Sequence, residues 1–402
     1  MKNLKKIYKL DNAQHKNNYT FLEVIFITFI FGIIVCGLTT FIVYNITEKT
    51  IFDSNLQDVV STYKDIENKY YEDVDSKKLA DSAINGMFNY LGEKYSELLD
   101  TNHASNLTTS LKDNYTGIGI QVYKKDGRFF IYSVIENSVA ESAGLQAKDE
   151  LLVVNKKKLT SNLELNDIST LIHEKNEVYI KVLRDSKEYE YNLKVSNVTI
   201  PVITSKLIIN DKTRIGYIYI DSFTSNVGDQ FKSELELLEH RGIDSIIIDV
   251  RNNTGGYLSG VDDIAKIFIK KGKRLYSLEG KDLNRESIDD TDEKRDYPIV
   301  VLINEYSASA SEVLSLALKE SYGATLIGTK TYGKGKVQET SSLSNDTMIK
   351  YTTAKWYSPN GNNIDGVGIT PGIKVSQNIE YILNQEGAVD SQLEKAKSFL
   401  SN

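Results

Sequence analysis

The stretch Ile299-Val-Val-Leu-Ile-Asn-Glu-Tyr-Ser-Ala-Ser-Ala-Ser-Glu312 passes from an unbroken apolar run into a serine- and alanine-rich segment. A short apolar run without polar alternation reads as a strand buried on both faces. Ser309-x-x-Glu312 reads as a helix start. The pattern predicts a strand over Pro298–Asn304 and a helix over Ser309–Tyr322. A serine at such a junction meets free N–H groups and the positive end of a helix dipole, which suit an alkoxide and the tetrahedral intermediate of acyl transfer. The same residues are also an ordinary capping box, and this stretch alone does not choose between the two.

Working outward, strands are expected at Ile215–Ile220, Ser245–Val250 and Thr325–Gly328, and helices at Val227–His240 and Gly260–Ile269. That alternation defines an α/β core over 205–375, with a charged loop or hairpin at Gly272–Asp296. Thr331-Tyr-Gly-Lys-Gly-Lys-Val-Gln338 sets Lys334 between two glycines. A lysine desolvated beside a serine loses proton affinity and can act as its base, although a surface lysine in a hairpin has the same local sequence. Gly328-Thr-Lys-Thr-Tyr-Gly-Lys334 meets seven positions of a phosphate loop, but Gly335 stands where the metal-binding hydroxyl is required. Gln338, at even spacing on an extended segment, would share a face with Lys334 and orient its amine, or be a plain exposed amide. Asp249-Val-Arg-Asn-Asn-Thr-Gly-Gly256 ends a buried strand. Gly255 and Gly256 could lend backbone N–H groups to an oxyanion, or simply make a turn. The four histidines, His15, His103, His173 and His240, are scattered and form no HExxH pattern. A Ser-His-Asp triad and a histidine zinc site are poor fits.

On the amino-terminal side, Val24–Tyr44 is 21 residues without a charge, enough to span a bilayer. Lys2, Lys5, Lys6, Lys9 and Lys16 precede it, so residues 1–23 are expected in the cytoplasm and everything beyond the anchor outside, at the cell membrane. A cleaved signal peptide is the alternative. Helical periodicity marks 50–112. From Tyr115 to about 197 the chain turns β-rich, and Gly117-Ile-Gly-Ile120, Ser138-Val-Ala-Glu-Ser-Ala-Gly-Leu145 and Asp149–Asn155 resemble, in that order, a PDZ domain. Its Gly117, Ile118, Gly119 and Ile120 resemble the loop that holds a peptide's carboxylate. Residues 376–402 form a carboxyl-terminal helical segment. The 402 residues, 41% hydrophobic and 26% charged with net charge −7, suffice for several domains and give no sign of a nucleic-acid partner. The single cysteine, Cys36, rules out an intrachain disulfide.

In sum the features, carried by Gly86–Leu91, Gly117–Ile120, Gly216-Tyr-Ile218, Ser222-Phe223, Asp249–Gly256, Ser307–Glu312, Gly328–Gly335, Val337-Gln338, Ser358-Pro-Asn-Gly361 and Ile364-Asp-Gly366, resemble the carboxyl-terminal processing peptidases. The resemblance implies an α/β and β multidomain architecture: transmembrane helix, helical region, PDZ domain and a crotonase-like Ser-Lys peptidase core. It implies Ser309 as nucleophile, Lys334 as base and Gln338 as the lysine's support; by position in the chain, the Ala310 N–H, next after that nucleophile, is the natural oxyanion donor beside Gly255 or Gly256. It further implies a PDZ domain that binds a substrate's free C-terminus and gates the core, with Arg184 coupling the two. No metal or cofactor is implied; a polypeptide substrate, a membrane and a possible homodimer are. The chain departs from the family at Leu91-Gly-Glu-Lys-Tyr-Ser96 and at Asn253-Thr254, where Asp-Pro and Asn-Pro are usual. A non-catalytic PDZ scaffold that binds C-terminal tails is the alternative from another class.

Overall fold

The computed structural model describes residues 21–51, 54–292, 294–343 and 347–401, without the side chains of 21 and 43–51. His15 and the lysines at 2 to 16, on which the orientation argument rests, lie outside the described residues. The chain divides into two units, residues 1–91 and 92–402.

The first unit holds α1 (Phe21–Ile51), α2 (Ser54–Lys69) and α3 (Ser76–Leu91). Within α1, the 21 residues Leu22–Ile42 have a mean hydropathy of 2.5 and are long and apolar enough to cross a membrane. The pair α2–α3 is joined through Tyr63, whose hydroxyl donates to the Ser76 carbonyl at 3.0 Å, and through Ser76, whose hydroxyl donates to Glu67 at 2.6 Å.

The second unit opens with β1 (Glu97–Leu99), α4 (Thr101–Leu111) and β2 (Asn114–Gly117). The PDZ module follows: β3 (Ile120–Lys125), β4 (Arg128–Val134), α5 (Val139–Ala143), β5 (Glu150–Val154), β6 (Lys157–Lys158), α6 (Leu165–His173), β7 (Glu177–Arg184) and β8 (Lys187–Lys194). Its main sheet runs β3-β4-β5-β7-β8 and folds over Phe129, Ile131, Val154, Ile168 and Ile180. Asp126 and Gly127, both at positive φ, make the tight β3–β4 turn that an Asp-Gly pair favours. Strand β9 (Ser196–Thr199) pairs with β2, so a two-stranded ribbon carries the module. Asp113, just before β2, is 1% exposed. Its carboxylate accepts from Thr224, Ser225, Asn226 and Gln230, tying the ribbon to the core.

The core contains β10 (Ile203–Asn210), β11 (Thr213–Ile220), α7 (Val227–His240), β12 (Ser245–Asp249), α8 (Leu258–Ala265), β13 (Arg274–Gly280), β14 (Asn284–Ile288), β15 (Ile299–Ile303), α9 (Ala310–Ala317), β16 (Thr325–Gly328), β17 (Lys336–Ser342), β18 (Met348–Tyr357), β19 (Ile373–Lys374), α10 (Ile379–Ile382) and α11 (Ser391–Leu400). One sheet runs β10-β11-β12-β15-β16-β19, parallel except for the β10–β11 hairpin. Every residue of β12 and β15 is buried, as their unbroken apolar runs predict. A second sheet, β1-β18-β13-β14 with β17 on β18, lies apart from it. The loops after β12, β15 and β16 leave the carboxyl ends of three adjacent parallel strands, where an open α/β sheet gathers its functional groups. These loops are 250–256, 304–309 and 329–335.

Several expectations shift. The helix placed at Gly260–Ile269 spans Leu258–Ala265, and that placed at Ser309–Tyr322 stops at Ala317 and continues as a π turn to Tyr322, ended by Gly323 at φ +104. The carboxyl-terminal helical segment is two helices, α10 and α11. Gly272–Asp296 contains the hairpin β13–β14. Helix α6 and strands β10 and β18 were not foreseen: β10 is set by its hairpin with β11, and β18 by β1 and β13, distant in sequence, as well as by its neighbour β17.

Candidate active site

Ser309 precedes α9 at φ 56, ψ −118, a backbone that a side chain rarely tolerates and that tends to persist at functional sites. The serine is held there from three directions. Its N–H donates to Glu312 Oε2 at 2.9 Å, its carbonyl accepts from Val313 at 2.9 Å, and the neighbouring Ala308 N–H donates to the Asn253 carbonyl at 3.0 Å. Ser311 also donates to Asn253, at 2.9 Å, and Ser307 to Val250, at 2.8 Å, so its two neighbouring serines serve the loop rather than the cleft.

Glu312 is fully buried and is the organising group. Its Oε2 takes the N–H of Ser309 and the N–H of Lys334, each at 2.9 Å, so twice that distance is the most that can separate the two backbone nitrogens. Its Oε1 takes the Gly333 N–H at 2.7 Å and the Thr331 hydroxyl at 2.6 Å. Burial pushes this carboxyl above its ordinary value, and the donors pull it part of the way back. Read in sequence as a capping residue, Glu312 also spans to a loop twenty-odd positions on; no local pattern carries that.

The lysine loop is pinned on all sides. The Trp356 indole N–H donates to the Lys334 carbonyl at 2.8 Å, and Gly366 N–H to the Gly333 carbonyl at 2.9 Å. A Cβ on Gly333 would fall 2.7 Å from the Gly368 nitrogen, and one on Gly335 2.6 Å from that of Asp365, which explains the glycines on either side of Lys334. The Lys334 amine lies 5.2 Å from the centre of the Tyr95 ring and makes no hydrogen bond with the Ser309 hydroxyl. Burial, then the charge of Lys350, hold it below the ordinary lysine value, against the pull of Glu93 and Glu312.

Gln338 does not share a strand face with Lys334. Lys334 precedes β17, and a bulge between Val337 and Gln338 resets the register. The Gln338 amide donates to Thr352 at 3.2 Å, whose hydroxyl donates to Glu93 at 2.7 Å. Of the two glycines, Gly255 donates its N–H to Asn253 Oδ1 at 2.8 Å and sits at φ +107. A Cβ there would fall 2.8 Å from Ser309 Cβ and 3.1 Å from the Ala310 nitrogen, so Gly255 leaves space in front of that N–H rather than a donor. Gly256 follows at φ +144, backed against Phe223. Neither the Ala310 nor the Gly256 N–H has a hydrogen-bond acceptor among the described residues.

In the PDZ module, Gly117, Ile118 and Ile120 line a cavity of about 270 Å³ closed on its other side by Leu165, Ile168 and Ile172 of α6. Gly119 instead backs onto Ser138, at φ +88. Arg184 forms a two-point ion pair with Asp149, both contacts at 2.6 Å, and donates to the Gly144 carbonyl at 2.8 Å, all within the module.

One module carries a groove between its Gly117–Ile120 segment and α6, and the next brings a strained serine and a desolvated lysine to loops that leave strand ends. Residues 214–375 match peptidase family S41, residues 116–195 the PDZ domain, and residues 43–103 the activating protease CtpB N-terminal domain. The chain is 33% identical over 360 residues to the carboxy-terminal processing protease CtpA of Bacillus subtilis (strain 168), covering 88% of this chain and 77% of that one. It is 35% identical over 327 residues to a probable CtpA-like serine protease of Staphylococcus aureus (strain COL), covering 80% of this chain and 65% of that protein. The photosystem II D1 C-terminal processing protease overlaps 86% of this chain and 90% of its own at 23% identity, with a TM-score of 0.49. The chain belongs to the carboxy-terminal processing proteases of peptidase family S41.

Proposed function

We propose that this chain is a single-pass cell-membrane serine endopeptidase, its amino terminus cytoplasmic and its body outside, that cuts exported or membrane polypeptides near their C-termini with a Ser309–Lys334 dyad. The observation that carries the reading is the Glu312 carboxylate, one oxygen of which binds the backbone of both residues. With the backbones so joined, closing the dyad is a matter of side-chain rotation. Ser309 Oγ attacks the scissile carbonyl while the neutral Lys334 amine takes its proton. The Ala310 and Gly256 N–H groups receive the oxyanion. The Lys334 ammonium returns the proton to the leaving amine; the neutral amine then takes one from the water that hydrolyses the acyl-enzyme and passes it to Ser309 Oγ as the acyl–oxygen bond breaks, which restores the serine hydroxyl and the free amine. Gln338 supports the lysine, its amide turning from Thr352 as the dyad closes. The substrate's C-terminus occupies the PDZ groove, its carboxylate at the Gly117–Ile120 loop, and that occupancy gates the core, with Arg184, which ties Asp149 to the Gly144 carbonyl within the module, coupling the two. The apolar span of α1 supports the anchor.

The test uses the full chain in detergent micelles and an unstructured peptide with an apolar C-terminus, with products read by mass spectrometry. Ser309→Ala and Lys334→Ala are each expected to lower turnover by at least about a thousandfold. Full activity in Lys334→Ala refutes the dyad; binding without turnover by the unaltered chain favours the scaffold.

A further inference from the structure

We propose that Tyr95 is a positioning residue for the base: its ring is the wall that holds the Lys334 amine and keeps water from it. The inference rests on Lys334 being the base. Tyr95 belongs to the segment between α3 and β1, far in sequence from the serine and lysine loops, yet three amines surround its ring. Those of Lys94, Lys334 and Lys336 lie 4.7, 5.2 and 5.9 Å from its centre. The Tyr95 hydroxyl is sealed from solvent with no hydrogen-bond partner, so it is the ring that the site uses.

The ring's place is well fixed. The Tyr95 N–H donates to Glu93 at 3.2 Å, the Ser96 hydroxyl donates to Glu93 at 2.8 Å, and the Thr352 N–H donates to that hydroxyl at 3.0 Å. Immediately beyond, β1 is zipped to β18. Glu93, Lys94, Glu312, Tyr332, Lys336 and Lys350 are the titratable groups set round the amine and the ring. Among the lysines they differ in one respect. Lys336 reaches Glu93 at 3.4 Å and Asp365 at 3.7 Å, Lys350 reaches Glu97 at 2.5 Å, and exposed Lys94 reaches the Tyr332 hydroxyl at 3.4 Å. Lys334 forms no ion pair among the described residues. Burial and the charge of Lys350 together dispose it to give up its proton. The ring quadrupole attracts an ammonium and works against this, so the direction of change on removing the ring decides which effect governs.

The experiment is the pH dependence of kcat/KM for the full chain carrying Tyr95→Ala, or Tyr95→Thr should the alanine variant not fold, beside Tyr95→Phe. The acid limb of that profile reports the free enzyme's base. Loss of the ring admits water and is expected to move the limb to higher pH, cutting activity at neutral pH about tenfold for each pH unit moved and restoring it in alkali. Tyr95→Phe is expected to return the limb to its original place. A limb that stays in place, with activity reduced alike at every pH, or one that moves to lower pH, overturns the proposal. Lys334→Ala in the same assay separates the two claims: an active Lys334→Ala enzyme means the base is misassigned, whereas an inactive one with an unmoved Tyr95→Ala limb means only the wall is wrong.

Discussion

Glu312→Gln keeps the side chain's volume and replaces one acceptor oxygen with an NH₂ group. Turned toward Ser309 and Lys334, the NH₂ would face two N–H groups that can only donate. Turned the other way it faces the Thr331 hydroxyl, which can rotate to accept, and the Gly333 N–H, which cannot. The second orientation is cheaper and strands one buried donor, at about 1–3 kcal/mol. The remaining bonds weaken as a charged acceptor becomes neutral, while loss of the buried charge gives some of that back. A net cost of about 2 kcal/mol follows, roughly thirtyfold in the population of aligned loops. Steady-state kinetics on the tail peptide are expected to show kcat down by about that factor with KM little changed, since the PDZ groove is separate. The pH dependence of unfolding gives a second readout. Burial raises the native Glu312 carboxyl above 4.5, so protonated Glu312 favours the native state. That contribution is full below 4.5 and is lost as pH rises through the native value; the glutamine variant lacks it, so the stability gap between the two proteins narrows across that window. Wild-type kcat in Glu312→Gln would refute the idea that this carboxylate aligns serine and lysine.

Gly255→Ala is expected to cut kcat by about 10²–10³-fold, because the new Cβ lands 2.8 Å from Ser309 Cβ and 3.1 Å from the Ala310 nitrogen, shutting off the oxyanion donor; circular dichroism on the same sample checks that the fold survives. Asp390→Asn is expected to lower the unfolding free energy by about 3 kcal/mol, since buried Arg251 donates to Asp390 at 2.8 and 2.9 Å as well as to Asp249. Burial pushes Asp390 up, but the hydrogen bonds and charge of Arg251 override it and bring its carboxyl to about 2. In the unaltered protein that contribution is present above 3.8 and is lost as pH falls toward 2, a slope that acid titration should find missing in the variant.

Much of this could be read locally. Buried parallel strands announce themselves as unbroken apolar runs, so β12, β15 and β16 were predicted within a residue or so, and α7 carries helical periodicity along its length. The serine and glycine-lysine segments stand out because a strand-to-helix turn and a backbone crowded by its neighbours admit few residue types. Strand β18 was not legible. Its residues are half-buried for much of their length, and its form depends on partners as far away as β1 and β13.

What the chain determined on its own was therefore the identity of the serine and lysine segments and the module order, since both rest on local propensity and short motifs. The tertiary structure alone decided that Glu312 bridges the two loops, that the Gly255 N–H is taken up by Asn253, that Gln338 turns to Thr352, and that Tyr95 underlies the lysine. Each depends on register and packing between segments far apart in sequence, where a single bulge or a buried carboxylate redirects a side chain that spacing alone would send elsewhere.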